Sequence, residues 1–269
     1  MNARSEDLDR SGPSSPQPAT SSAEAGTGSR PGAPPTPDVA AAVFGSRVSL
    51  AERYVALLAA TGISHGLIGP REAPRLWDRH VLNCAVVHPL FATGARVADL
   101  GSGAGLPGIP LAIVRPDLRL TLVEPLQRRT TWLTAAVEEL GLANVVVHRG
   151  RAESLWGAPR FGHVTARAVA RIGELARIGL PLLEAGGSLH ALKGTSAPTE
   201  LTEDADQLRA MNASRWSVAS FGAGVVTPET LVATVEVGSA VTPGRRVGGS
   251  ARPAPRGRRS PTSSGRRRL

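Results

Sequence analysis

Cysteine is almost absent: Cys84 is the single one in 269 residues. No disulfide can close within the chain, and the thiol count points to no oxidising compartment. No zinc-ligand spacing occurs, so no metal is expected. Lysine is just as scarce: Lys193 stands alone in a chain with 31 Lys and Arg positions. Aromatic residues make up only 3%, which leaves few planes for a base to stack on. There is no apolar leader of the secretory kind, and no apolar run approaches the roughly 20 residues of a membrane span. These absences predict a soluble cytoplasmic protein with no membrane or metal partner.

What is present is unevenly spread. The net charge is +9, yet residues 240–269 hold nine arginines and no acid, and outside that segment basic and acidic residues balance. Such a tail can hold RNA nonspecifically through phosphates, or be merely solvated. Residues 1–37 contain seven Pro and seven Ser with few large apolar side chains. A stretch of this kind cannot bury enough surface to offset its ordering entropy. The reading is a disordered Pro/Ser/Ala-rich head (1–37), N-terminal helices packed on the main domain (38–95), an α/β domain (96–239) and a disordered Arg-rich tail (240–269).

The folded part opens with helical spacing at Val48, Ala51, Tyr54, Val55 and Leu58, ended by Gly62, and a second helix is expected over 72–87 with Leu76, His80, Val81 and Cys84 on one face. From Arg96 the pattern alternates: strands at 96–100, 119–124, 144–148, 163–167 and 188–192, with helices at 107–114, 126–140 (closed by Gly141), 172–183 and 197–211. Strands alternating with helices predict a parallel sheet covered on both faces. Two last strands, 216–221 and 230–237, suit an antiparallel hairpin at its edge.

The segment 99-DLGSGAGLPGIPL-111 links a strand to a helix. Gly101, Gly103 and Gly105 allow positive φ and close approach of a ligand, where open α/β sheets bind ligands. A dinucleotide turn wants G-x-G-x-x-G, but its sixth position is Leu106, so an NAD oxidoreductase is the weakest option. The sequence instead reads D-x-G-x-G-x-G, which looks like the first motif of class I S-adenosylmethionine methyltransferases. Glu124, at the end of the next strand, is placed to accept hydrogen bonds from ribose hydroxyls, a role that suits NAD as well and so does not discriminate by itself.

At these residues the chain resembles a known family. The run 99-DLGSGAGLPGIPLAIVRPDLRLTLVEPLQRR-129, with L-P-G after the glycines, together with 77-WDRHVLN-83, 151-RAE-153, 165-TARAVA-170 and 190-HALKG-194, is similar to the small-subunit (16S) ribosomal RNA methyltransferase G family, also called glucose-inhibited division protein B. The resemblance covers roughly residues 48–237. It implies a class I S-adenosylmethionine-dependent methyltransferase (Rossmann-like) fold with an N-terminal helical extension. It also implies methyl transfer from S-adenosyl-L-methionine to N7 of a guanosine, position 527, in the 530 loop of 16S rRNA. The family's cofactor contacts carry over to Gly101, Leu106, Ala152, Glu153 and Arg167. Many members have W-N-x-x-x-N-L-T where this chain has 59-AATGISHGLIG-69.

That chemistry needs no base, because guanine N7 carries a lone pair and no proton, and positioning supplies much of the rate. The segment 166-ARAV-169 stands where an amino-group methyltransferase would carry [DN]-P-P-[YF]. Stacking candidates are Trp77, Trp132, Trp156 and Phe161, each of which also suits the core. Arg79 and His80 are candidates for RNA phosphate contact or for closing the cofactor site. Lys193, a lone lysine at a strand end, suggests a substrate-facing compact ammonium. Two other classes stay open on the residues alone, a small-molecule methyltransferase and a non-catalytic RNA-binding assembly factor. The substrate is 16S rRNA or the small ribosomal subunit.

Overall fold

A computed structural model describes residues 32–243. The expectations for the head before residue 32 and for the arginine tail after 243 lie outside the described residues. Seven strands run β1 (Arg96–Leu100), β2 (Arg119–Glu124), β3 (Val145–Arg149), β4 (Phe161–Arg167), β5 (Leu183–Lys193), β6 (Ala213–Phe221) and β7 (Thr230–Val237). They form one sheet in the order β3-β2-β1-β4-β5-β7-β6. The first five are parallel, while β7 inserts antiparallel between β5 and β6. The class I methyltransferase fold expected from the sequence is therefore present, with the final hairpin at the edge.

The alternation of side chains along each strand sorts two cores onto the two faces. Val97, Leu120 and Leu122 join one core with α1 (Val39–Phe44), α2 (Val48–Leu57), α3 (Asn83–Ala85), α4 (Gly108–Val114) and α5 (Gln127–Leu140). Ala98, Leu100, Val164, Leu189 and Ala191 join the other with α6 (Ile172–Gly179), α7 (Ala197–Glu203) and α8 (Ala205–Ala210). Asp99 is a fully buried charge-bearing residue on β1.

Three helices depart from the sequence reading. The stretch 72–87 is one face but not one helix: a 3₁₀ segment Pro70–Arg75, a wider π-type turn Leu76–Leu82, then α3. Pro74 lies inside the 3₁₀ segment, where its missing N–H and fixed φ prevent an α-helical interior. Leu76, His80, Val81 and Cys84 are nonetheless all buried. The helix expected over 172–183 stops at Gly179, because Pro181 falls in a 3₁₀ turn and β5 already begins at Leu183. The helix expected over 197–211 breaks at Asp204 into α7 and α8; the Asp204 carboxylate turns aside to accept the Gly173 N–H at 2.7 Å. By contrast α5 ends as expected on Gly141 in the left-handed region (φ 64). Among the described residues no helix is long and apolar enough to cross a membrane.

Candidate active site at the carboxyl edge of the sheet

The carboxyl ends of β1 to β5 lie along one edge, and the sequence-selected residues gather there. Leaving β1, the chain makes a turn in which Gly101, Gly103 and Gly105 all have positive φ (67, 57 and 89). The Gly101 and Ser102 N–H groups donate to Val123 O on β2, at 2.8 and 3.2 Å. Tyr54 of α2 donates its buried hydroxyl to Ala104 O at 2.8 Å, so the N-terminal helices brace the turn from behind. A Cβ at Gly101 would lie 2.9 Å from Val169 Cγ2, and one at Gly108 would lie 2.3 Å from Leu122 Cδ2. Leu106 is buried beneath the turn.

Two buried carboxylates face this turn. Glu124, 1% exposed, accepts the Gly103 N–H at 3.1 Å and the Leu126 N–H at 3.0 Å. Arg129 Nη1 is 3.6 Å from it. Asp99 accepts from the Ser102 hydroxyl and, at 3.1 Å, from the Gly108 N–H through one oxygen. Its other oxygen, Oδ1, is buried with no hydrogen-bond partner. Burial drives the Asp99 carboxyl up to about 7, against the pull of those two hydrogen bonds. After β3, Ala152 and Glu153 open a 3₁₀ turn (Ala152–Leu155). The Gly150 N–H donates to Glu124 O at 3.1 Å, which places that turn beside the end of β2.

Arg167, at the end of β4, reaches back to the N-terminal segment. Its Nη2 donates to His80 Nδ1 at 2.8 Å and its Nη1 to Cys84 Sγ at 3.3 Å. Since His80 Nδ1 accepts, the ring proton sits on Nε2, which donates to Glu72 Oε2 at 2.9 Å. Glu72 also pairs with Arg79 Nε at 3.3 Å. Burial, with the Arg167 charge, holds His80 below the usual histidine range. Burial pushes the Cys84 thiol up, so it is no thiolate nucleophile.

Beside these lies a cleft of about 510 Å³ whose walls include Arg79, Asn83, Arg167, Ala168, Lys193 and Thr195. Arg79 is exposed on its rim, whereas His80 is buried and off its wall. Lys193 lines the wall, but its Nζ donates to Glu200 Oε2 and to Ala170 O, each at 2.8 Å. Of the stacking candidates, Trp77, Trp132 and Phe161 are buried. Trp156 is half-buried with its indole N–H on Ile178 O at 3.2 Å. All four take the core reading. Among the described residues no group of three or more His, Cys, Asp or Glu side chains is arranged to hold a metal.

The family described as rRNA small subunit methyltransferase G (GidB) matches residues 47–229. The chain belongs to this family. Ribosomal RNA small subunit methyltransferase G of Streptomyces avermitilis is 54% identical over 206 residues, which is 76% of this chain and 87% of that protein. The protein of the same name from Thermobifida fusca is 51% identical over 216 residues, 80% of this chain and 91% of its own, and that of a Nocardioides species 53% over 215, covering 80% and 81%. The family match runs from the residue before α2 to the one before β7, so it takes in every residue of the edge just described.

Sequence reasoning missed Glu72, Tyr54 and Cys84 as parts of this edge. Their partners lie 8, 50 and 83 residues away along the chain, and no local spacing announces such pairings. Asp99 was visible as the first letter of the glycine motif, but its unpartnered oxygen is a property of the packing.

Proposed function

We propose that this chain transfers the methyl group of S-adenosyl-L-methionine to N7 of a guanosine in 16S rRNA, position 527 of the 530 loop, in the cytoplasm. The observation that carries the proposal is the pair of buried carboxylates, Asp99 and Glu124, on a glycine turn beside a cleft with arginine on its walls. The cofactor brings a sulfonium, an ammonium and a ribose diol. The chain offers an unpaired buried Asp99 oxygen and a Glu124 carboxylate with two backbone N–H groups on it and Arg129 at 3.6 Å. The donor set fits the group.

Gly101 and Gly103 give backbone approach, Leu106 an apolar floor, Glu124 the ribose contact, and Ala152 with Glu153 the border of the adenine. Arg167 stands beside the cofactor, held by His80 and Cys84. When bound, the cofactor supplies an electrophilic methyl group, and guanine N7 needs no deprotonation to meet it. The chain's work is positioning and exclusion of water. Arg79 on the rim suits a phosphate, in rRNA or in the small ribosomal subunit, with His80 closing the site from behind. Lys193 belongs to the substrate cleft wall.

The test is incubation with labelled S-adenosylmethionine and small subunits lacking the modification, then mapping of N7-methylguanosine by borohydride–aniline cleavage. A single new cut in the 530 loop, lost with Gly101→Asp, is expected. No label in rRNA, with cofactor still bound, overturns the assignment of substrate.

A further inference from the structure

The turn between β4 and α6 touches both halves of the site. Ala168 lines the cleft, and its neighbour Val169 presses against Gly101. Ala168 has φ 52, a left-handed conformation that costs a non-glycine residue roughly 1–2 kcal/mol and persists only where the surroundings enforce it. The enforcement comes from β5, from α7 and from Asp204 just after it. Lys193 Nζ donates to Ala170 O and to Glu200 Oε2, both at 2.8 Å. The same Glu200 oxygen accepts the Ile172 N–H at 3.1 Å, and its other oxygen accepts the Ser196 hydroxyl at 2.8 Å. Arg171 pairs with Glu203 and Asp204, and the Gly173 N–H is held by Asp204 at 2.7 Å. Four consecutive residues, 170–173, are thus each gripped from outside the turn.

Resting on the cofactor reading above, we propose that Lys193 is a positioning residue: it locks the Ala168–Ala170 turn so that Val169 seats on the glycine turn, and it acts on cofactor binding through that turn rather than by touching RNA. The Lys193 and Glu200 side chains are 12% and 11% exposed. To serve a phosphate, the ammonium would have to leave a shielded carboxylate uncompensated. A single nitrogen can lie within 2.8 Å of both oxygens; the wider planar fork of arginine cannot occupy the same point. That accounts for one lysine in a chain whose other cations are all arginine.

The experiment uses the full chain as wild type, Lys193→Met, Lys193→Arg, Glu200→Gln and the double variant Lys193→Met/Ala168→Gly. Affinity for S-adenosylhomocysteine is read by calorimetry, and affinity for unmodified small subunits across a salt series. Both Lys193 variants should weaken cofactor binding by about tenfold or more, with subunit affinity and salt slope unchanged. Glycine accepts φ 52 without strain, so Ala168→Gly should restore part of the cofactor affinity lost in Lys193→Met. Glu200→Gln should weaken cofactor binding in the same direction, and decides the matter should Lys193→Met fail to fold. Normal cofactor affinity in Lys193→Met, with weaker subunit binding and a salt slope lower by about one, overturns the proposal, as does a Lys193→Arg protein equal to wild type. A wild-type chain that binds no cofactor strikes the underlying reading itself, and the proposal with it.

Discussion

Arg167 and His80, separated by 87 residues, are joined by a 2.8 Å hydrogen bond in which the guanidinium donates to Nδ1. The bond fixes the imidazole as the neutral Nε2–H tautomer, whose proton goes to Glu72. His80→Leu should leave Arg167 short of a partner and weaken cofactor binding about tenfold or more, as loss of a hydrogen bond to a charged group does. His80→Gln, which can still accept and donate, should retain more. Because burial and Arg167 hold the His80 pKa down, wild-type activity should not respond to this group until pH falls below the ordinary histidine range. There, protonated Nδ1 would face Arg167 as a second donor. Calorimetry with the two variants, and a pH–rate profile for the wild type, check both halves. Equal affinities in His80→Leu and wild type would show that Arg167 needs no brace.

The glycines of the turn should separate by cause. Gly103 has φ 57 but open space, with nothing nearer to a Cβ than Gly101 O at 3.8 Å. Gly103→Ala should therefore cost only backbone strain, roughly 1–2 kcal/mol. Gly101→Ala adds a 2.9 Å approach to Val169 and should lose more cofactor affinity than Gly103→Ala. Gly108 has no φ strain, but a Cβ there would sit 2.3 Å from Leu122 Cδ2 and 2.7 Å from Asp99 Oδ2. Gly108→Ala should be the most destabilising of the three in thermal unfolding. An identical loss in all three would mean that the turn relaxes freely.

Much of this was legible in the sequence. The strand–glycine–helix run from Asp99 and the acid at Glu124 pointed to the carboxyl edge of the sheet, where both lie, because both marks are local and obey strand and turn periodicity. The alternation of strands and helices gave the sheet. What escaped was set by distant packing. Pro74 altered the pitch of 70–82 without moving its buried face, so the face was readable and the helix was not. Asp204 broke 197–211 because its carboxylate is used by Gly173, across 31 residues. The aromatic side chains and Lys193 show the same limit: residue type made them candidates, and only burial and partners reveal what they hold.

Across β4, β5 and β7 runs a directed hydrogen-bond chain. The Ala92 N–H donates to His163 Nε2 at 3.2 Å, His163 Nδ1 donates to His190 Nε2 at 3.1 Å, and His190 Nδ1 donates to Thr234 Oγ1 at 3.1 Å. Phe91 meets both rings edge-on. Every nitrogen is used in the neutral state, so protonation of either ring breaks the chain. Burial, with the neighbouring ring, pulls His190 down to about 3, and burial lowers His163 against the opposing charge of Glu184. The folded pKa values are depressed, so the unfolded chain binds more protons below about pH 6.5. The pair's stabilisation is complete above that pH and is lost as pH falls toward 3. Denaturant unfolding at pH 7.5 and 4.5 should show a loss on the order of 2–3 kcal/mol from this source, largely removed in His190→Asn. Because Asp99 shifts stability in the opposite direction over the same window, the decisive reading is the difference between proteins: a pH dependence identical in His190→Asn and wild type would refute the assignment.

On the proposed cofactor reading, Asp99 gives the site a pH response of opposite origin. Its carboxyl is raised to about 7 by burial, and Oδ1 lacks a partner, so near neutrality the free protein holds the group partly protonated. A bound cationic cofactor favours the ionised form and lowers that pKa. Binding should then release a proton, and affinity should rise with pH up to about 7 and level off above it. Below that point it should fall by as much as about tenfold per pH unit, the limit for one coupled proton. The raised pKa works the other way on stability: the unfolded chain gives up this proton near its ordinary value, so Asp99 costs the fold stability as pH climbs through 4 toward 7 in the absence of ligand. Calorimetric titrations in two buffers of different ionisation enthalpy, at pH 6 and 7, measure the proton count directly. Asp99→Asn keeps an acceptor for Ser102 and Gly108 but cannot ionise; it should bind weakly at every pH, with no proton released and a flat profile. Proton release that persists in Asp99→Asn would place the titrating group elsewhere and remove Asp99 from the binding of the cofactor's charge.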